Sequence, residues 1–332
     1  MTTKIERHLP PVKIIGGGAL GSLFAAFLEP HSDIAMLTHW AEQIAAIRSR
    51  GLICLHGDGV SSKHDIFVTN SPLDLAPIQL GLVLVKSYQT ARAAYELAPV
   101  LAPDGVVITL QNGLGNLEAL EAALGRGRVV QGVTAQGATM VGAGEVRHAG
   151  HGPTTIATSP TRTPVLEDFV GLLNQAGLAA QLSDDVTALQ WGKLGVNAGI
   201  NPLTAVLRVP NGFLAENEAA NSVMCAAAEE TAAVARQLGI TLPYSDAAAR
   251  VTEVAEKTAG NFSSMLQDVL RGAPTEIDAI NGAVANYGRQ SGVPTPLNDE
   301  LWRQVKAVQA ALQTGAVFDA EASFEKLLNS VC

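Results

Sequence analysis

Along the first half of the chain, short apolar runs rich in β-branched residues alternate with stretches whose apolar positions recur every three to four residues. VKIIG at 12–16, DIAML at 33–37, GLVLV at 81–85 and VVITL at 106–110 read as strands. Segments near 129–133, 145–148 and 155–157 are expected to extend the same sheet. Alternation of this kind predicts βαβ units around a parallel sheet, the α/β class with a doubly wound topology. Beyond about Ser183 the strand signal ends, and alanine-rich, 3.6-periodic segments run almost to the end, interrupted at NPLTA, VPNG, LPYSD, GNF and GVPTP. The second half is therefore expected to be all-helical.

The change of pattern sets a boundary. A strand-like LAAQL precedes Ser183, Asp184 and Asp185, whose short polar side chains suit the cap of a following helix, giving domains of 1–183 and 184–332. Length agrees, since 332 residues exceed the ~250–300 that one hydrophobic core usually serves. The two domains are expected to pack closely around a cleft. With 47% hydrophobic and 16% charged residues, disorder is excluded.

Charge and termini narrow the partners. No apolar run approaches the ~18–20 residues of a membrane span, and the opening MTTKIERHLPP lacks the apolar stretch of a secretory signal, so a cytoplasmic protein is expected. A net charge of −9 without a basic stripe argues against nucleic acid. Cys54, Cys225 and Cys332 are widely spaced and form no CxxC pair, so they read as buried or incidental thiols. His148 and His151 have no carboxylate or thiol beside them in sequence, and no metal site is expected.

Gly16, Gly17, Gly18, Ala19, Leu20 and Gly21 fit GxGxxG between a strand and an amphipathic helix. Glycine permits the tight turn, bare backbone approaches a pyrophosphate, and the helix N-terminus offers amide donors with a partial positive charge. The alternative is a purely structural turn. Nucleotide choice is normally made at the end of the second strand, by an acid on the ribose hydroxyls or a basic group on the 2′-phosphate. That segment reads Met36-Leu37-Thr38-His39-Trp40 and has neither an acid nor an arginine, although Thr38 and His39 can hydrogen-bond phosphate and Trp40 can stack on adenine.

The most informative stretch is DDVTALQWGKLGVNAGINPLTAVLRVPNG at 184–212. Lys193, Asn197 and Asn201 recur every four residues, so on a helix all three project within an arc of about 80°. One cation with a transferable proton and two neutral amides suit the reduction of a 2-oxo acid; the competing reading is a solvated helix face. Gly192, Gly195 and Gly199 thin the adjoining turns, so that a ligand or another backbone can approach. Lys86 and Asn112 follow strands, at the ends where doubly wound sheets bind ligands, and Ser264, Asp268 and Glu276 stand out in SSMLQDVLRGAPTEID. Each of these alone also reads as a loop cap.

GGGALG, VKSYQT, QNGLGN, GATMVGAGEVRHAGHG, WGKLGVNAGINPLTAVLRVPNG and SSMLQDVLRGAPTEIDAINGAV occur in this order, and from Val12 to about Lys306 the chain resembles the ketopantoate reductase (2-dehydropantoate 2-reductase) family. The resemblance implies an N-terminal Rossmann domain, a helical C-terminal domain, and NADPH-dependent reduction of 2-dehydropantoate to (R)-pantoate on the way to pantothenate and coenzyme A. It also implies Lys193 as proton donor. Substrate contacts would fall to Asn112, Asn197, Asn201, Asn211, Asn261 and Ser264, and cofactor contacts to Gly16–Gly21, Lys86, Asn112, Ala138 and Glu276. Two positions depart from the family pattern. Trp40 stands where an arginine usually meets the 2′-phosphate, which leaves NAD as an alternative to NADP, and Ala273 replaces a basic residue ahead of TEID, which leaves another 2-oxo acid open. A non-catalytic NADP sensor is the remaining alternative. The alanine-rich segment from Ala219 to Leu238 can serve a homodimer or the domain's own core.

Overall fold

A computed structural model describes residues 11–57 and 59–331. The reading of the N-terminal segment rests almost wholly on residues 1–10, and that of Cys332 on the last residue; both lie outside the described residues. The elements run β1 (Val12–Ile15), α1 (Ala19–Leu28), β2 (Ile34–Leu37), α2 (Ala41–Arg50), β3 (Leu52–Leu55), β4 (Ser61–His64), β5 (Phe67–Thr69), β6 (Ile78–Val83), α3 (Thr90–Leu97), β7 (Leu101–Thr109) and α4 (Asn116–Leu124). They continue through β8 (Val129–Thr134), β9 (Gly137–Gly142), β10 (Glu145–Gly150), β11 (Thr154–Ala157), α5 (Thr163–Gln175) and β12 (Ala180–Ser183). Helices follow: α6 (Val186–Leu207), α7 (Asn211–Glu216), α8 (Glu218–Gln237), α9 (Ala247–Lys257), α10 (Ser264–Leu270), α11 (Asn281–Ser291), α12 (Pro296–Thr314) and α13 (Ala320–Leu328).

Two compact units result. One holds the described residues up to Gln111 together with Asn116–Val186; the other holds Asn112–Gly115 with the described residues from Thr187 onward. The short segment 112–115 thus packs with the helices, although the boundary at 183 leaves it with the sheet.

In the first unit an eight-stranded sheet has the order β12-β11-β8-β7-β6-β1-β2-β5. It is parallel from β8 to β5, and β11 joins β8 antiparallel. Both faces are buried, which explains strands that are apolar almost throughout. Val12, Ile14, Met36, Leu80, Leu82, Val106 and Ile108 pack on one side with α1 and α5, while Ile15, Leu37, Val83 and Val107 pack on the other with α3 and α4. The segment at 145–148 does not extend this sheet. It lies in β10 of a separate four-stranded sheet, order β4-β3-β10-β9, because β10 hydrogen-bonds to β9 and β3. A polar chain ties that small sheet to the end of α1: Ser62 Oγ lies 2.7 Å from His64 Nε2, and His64 Nδ1 lies 3.1 Å from the Glu29 carboxylate.

The second unit is helical around a core of its own. Asn217, Asp246, Ser263 and Asp319 cap α8, α9, α10 and α13, each accepting from the amide three residues on. The alanine-rich stripe of α8, including Ala220, Val223, Met224, Ala227 and Val234, is buried in this core. The expected interruption at NPLTA does not occur: α6 runs through Pro202. Proline has no N–H to give the carbonyl of Ala198, and the Asn281 side chain donates to that oxygen instead, at 3.0 Å. Cys54 is buried and its thiol is pushed up to about 11, and burial also raises the Cys225 thiol, so both are protonated at neutral pH. Among the described residues, no helix is long and apolar enough to cross a membrane, and no group of three or more metal-binding side chains converges.

Candidate active site

Each glycine of the first turn is required by something different. Gly16 has φ +122, and a Cβ there would lie 2.8 Å from the backbone of Leu84 and Val85. A Cβ on Gly21 would lie 1.8 Å from the Gly16 carbonyl oxygen, so the helix can start under the turn only without one. Gly17 presses on Thr38, whose Cβ and Oγ1 would be 2.7 Å from an added Cβ. Gly18 is different: nothing lies within 4 Å of that position, and the residue precedes α1 with no side chain capping it. The space beside Gly18 at the start of α1 is therefore open, as an approaching pyrophosphate needs, so the turn fits a dinucleotide. Ala19 and Leu20 form the first turn of α1.

At the end of β2, Thr38 is buried, with its amide bonded to the Thr69 carbonyl. Trp40 precedes α2 and is partly exposed. His39 Nε2 sits 3.0 Å from the Glu96 carboxylate, which also accepts from Arg92 Nε at 2.8 Å. The acid and the guanidinium missing from the strand itself are thus delivered by α3. Lys86 follows β6, half-buried, and precedes a 3₁₀ turn at Ser87–Gln89. Ala138 lies on β9 opposite His148, half-buried against the core.

In the helical unit, Lys193, Asn197 and Asn201 share one face of α6, and that face is not a solvated one. Asn201 is buried, and Lys193 and Asn197 are partly so. Loss of solvent lowers the Lys193 pKa to about 8, against the pull of the Glu276 carboxylate, which raises it. Glu276 is buried and accepts from Asn112 Nδ2 at 3.5 Å. Asn112 is brought there by three contacts within the unit: Gln190 Nε2 donates to the Gly113 carbonyl at 2.9 Å, the Leu114 amide bonds to the Ala279 carbonyl, and Gly113, at φ +79, fits against Ala279 where a Cβ would come within 2.4 Å of its oxygen. Lys193, Glu276 and Asn112, 164 residues apart at the extremes of the Asn112–Glu276 contact, form one cluster.

The glycines on α6 have a structural reason. Gly192 packs against Pro243 and Tyr244, Gly195 against the Tyr244 hydroxyl, and Gly199 against the Met224 carbonyl, each with room for no Cβ. These three positions admit neighbouring protein rather than a ligand. Asn211 donates from Nδ2 to Thr258 Oγ1 at 2.9 Å, while its Oδ1 is buried with no hydrogen-bond partner. The Asn261 carbonyl accepts from the Asn211 amide, but the Asn261 side chain is exposed. Ser264 is exposed at the first position of α10; its neighbour Ser263 is buried, caps that helix and accepts from Thr204 Oγ1 at 2.7 Å. Asp268 is buried and paired with Arg271.

Two contributors were not singled out from the sequence. Gln111 donates from Nε2 to the Val85 carbonyl at 2.9 Å and to Thr90 Oγ1 at 2.7 Å, bracing the loop that carries Lys86. Tyr244 donates to the Gly192 carbonyl at 3.0 Å, one residue from Lys193. The signal for Gln111 lay in its place directly after a strand and before Asn112; Tyr244 carried none.

Comparison with known proteins follows the same two units. The family description Ketopantoate reductase PanE/ApbA matches residues 12–161, and Ketopantoate reductase PanE/ApbA C terminal matches residues 185–309. The chain belongs to the ketopantoate reductase family. A 2-dehydropantoate 2-reductase of Archaeoglobus fulgidus is 36% identical over 91% of this chain and 98% of its own length. Among solved structures, a PanE/ApbA family ketopantoate reductase from Ralstonia eutropha JMP134 superposes with a TM-score of 0.85 at 30% identity, covering 91% of this chain and 99% of that one. D-mandelate dehydrogenase with NADH and anilino(oxo)acetate superposes with a TM-score of 0.84 at 26% identity, with the same coverage. Membership in this family makes the chain an oxidoreductase acting on a CH–OH group.

Proposed function

We propose that the chain reduces 2-dehydropantoate to (R)-pantoate with a reduced nicotinamide dinucleotide, the reaction that leads to pantothenate; the family resemblance implies NADPH. The observation that carries this reading is the Lys193 amine, poised near neutrality beside Glu276 and Asn112 and on one face with Asn197 and Asn201. The reduced nicotinamide supplies a hydride to the ketone carbon. The glycine turn, with Gly18 open toward the start of α1, binds the pyrophosphate, and Lys86 and Ala138 are the further contacts assigned to the nucleotide in the first unit.

Lys193 carries out the proton step. As the carbonyl carbon gains the hydride, the oxygen accumulates negative charge; the ammonium hydrogen-bonds to it and gives it a proton, so the ketone becomes a hydroxyl and the lysine becomes a neutral amine that water reprotonates. A pKa near 8 leaves most of the amine charged at neutral pH, yet makes it a stronger acid than an ordinary lysine. The Glu276 carboxylate keeps the charged form populated. Asn197 and Asn201 orient the substrate through neutral amides, and the unmatched Asn211 Oδ1 is an acceptor suited to a substrate hydroxyl.

A second reading is favoured by specific residues. Ala273 offers no charge, and Phe213 and Phe262, two residues after Asn211 and one after Asn261, are exposed, as a bulkier apolar 2-oxo acid would require. Nucleotide oxidation with 2-dehydropantoate and with a panel of aliphatic and aromatic 2-oxo acids separates the two. The first reading expects the highest kcat/KM for 2-dehydropantoate; an aromatic acid ahead of it replaces that substrate, and no turnover of any 2-oxo acid removes the enzymatic reading.

A further inference from the structure

The end of β2 holds a polar group that the reaction above does not use. Thr38 touches the glycine turn through Gly17, so the residues that follow it border the place where a dinucleotide's adenosine ribose lies in a doubly wound sheet. There His39 and Arg92 do not face outward as two unengaged donors. Both close on one carboxylate, Glu96, at 3.0 and 2.8 Å. The Glu96 side chain is 17% exposed, against 35% for His39 and 51% for Arg92, so the acid is the most shielded of the three and still reachable from solvent. Burial opposes its ionisation, but the hydrogen bonds and charges of His39 and Arg92 outweigh that, and the carboxyl is held below its usual range.

A ribose with a free 2′-hydroxyl brings a donor to this group and can bond to the carboxylate. A 2′-phosphate brings between one and two further negative charges to a point where an anion is already fixed, with His39 Nε2 and Arg92 Nε already directed at that anion. Trp40, at the position assigned to the family's arginine, supplies an aromatic face and no charge. We infer that Glu96, clamped by His39 and Arg92, is a specificity-determining residue that makes this subsite one for an unphosphorylated ribose, so that the chain takes NADH in preference to NADPH. This rests on the reading of the chain as a nicotinamide-dependent reductase and departs from the NADPH that the family resemblance implies.

The test is equilibrium binding, read from quenching of the protein's tryptophan fluorescence with NADH or NADPH alone and no 2-oxo acid present. The wild-type protein is expected to bind NADH at least about tenfold more tightly, a gap that narrows as salt is raised. In Glu96→Gln, NADPH should tighten and NADH weaken, shrinking the ratio by about tenfold. His39→Arg, which adds a permanent cation and leaves Glu96 in place, should move the ratio in the same direction by less. Equal or tighter binding of NADPH by the wild type, or a Glu96→Gln change that moves both nucleotides alike, overturns the inference. Binding of neither nucleotide instead removes the reductase reading on which it rests.

Discussion

The glycine turn of the first unit and the polar face of α6 in the second are assembled by opposite means. In the turn, the proposed binding rests on backbone amides, and the sequence contributes by leaving side chains out: Gly16 and Gly21 because a Cβ would strike backbone, Gly18 because the space beyond it is open. On α6 the proposed chemistry rests on side chains, and the surroundings tune them: an amine lowered to about 8 by burial and pulled back by Glu276. A backbone site is broken by adding atoms, and a side-chain site by removing them. Substitutions that respect this difference should damage one property of the protein and spare the other.

The largest effect is expected from Lys193→Ala. Loss of the proton donor and of the charge on the developing alkoxide should lower kcat by about 10²–10⁴-fold, with little change in the Kd of the nucleotide. Steady-state kinetics alongside nucleotide titration check this; retained turnover would show that another group donates the proton.

Adding a methyl group to the turn comes next. Gly18→Ala meets nothing within 4 Å, so melting temperature should stay within a degree or two while affinity for either dinucleotide falls about tenfold or more. Gly21→Ala places its Cβ against the Gly16 carbonyl, and here stability should fall together with affinity. Thermal melts and binding titrations on the pair separate a methyl group that blocks a ligand from one that breaks the turn.

The same contrast governs what the sequence made legible. The turn is contiguous, so strand, glycines and helix lay in one window, and the apolar strands followed from burial on both faces of the sheet. On α6, Lys193, Asn197 and Asn201 were visible as a periodicity, but Asn112 and Glu276 reach their places only through tertiary contacts of Gly113, Leu114 and Gln190. Glu96 was missed for the same reason, since it reaches the end of β2 from α3. Ser263 is the buried cap of α10 while Ser264 is exposed, and adjacent residues of one type give no signal for that difference. The second sheet was hidden as well: nothing local in residues 145–148 says which neighbour β10 will pair with.

A smaller effect sharpens the electrostatic half of the comparison. If Lys193 must be protonated to act, kcat/KM should fall above about pH 8. The Glu276 carboxylate stabilises the ammonium and raises its pKa, so Glu276→Gln removes that support and the pKa drops further. The alkaline limb of the pH profile should therefore move to lower pH, by about one unit. A limb that stayed in place would mean that the titrating group is not Lys193, or that Glu276 is not the charge acting on it.

The smallest effect tests how the polar face is held. Pro202 sits inside α6 between Asn201 and the rest of the helix and leaves the Ala198 carbonyl without its intrahelical donor; Asn281 donates to it, and to Asn298 as well, from full burial. Asn281→Ala should cost about 1–3 kcal/mol, because buried acceptors lose their partner. Pro202→Ala restores an N–H in reach of the same carbonyl, so Asn281→Ala should cost about 1 kcal/mol less in that background than in the wild type. Denaturant unfolding of the two single variants and the double variant measures the difference. Additive costs would mean that Asn281 acts on α12 through Asn298 rather than on α6, and the continuity through Pro202 of the helix that presents Lys193, Asn197 and Asn201 would then need another cause.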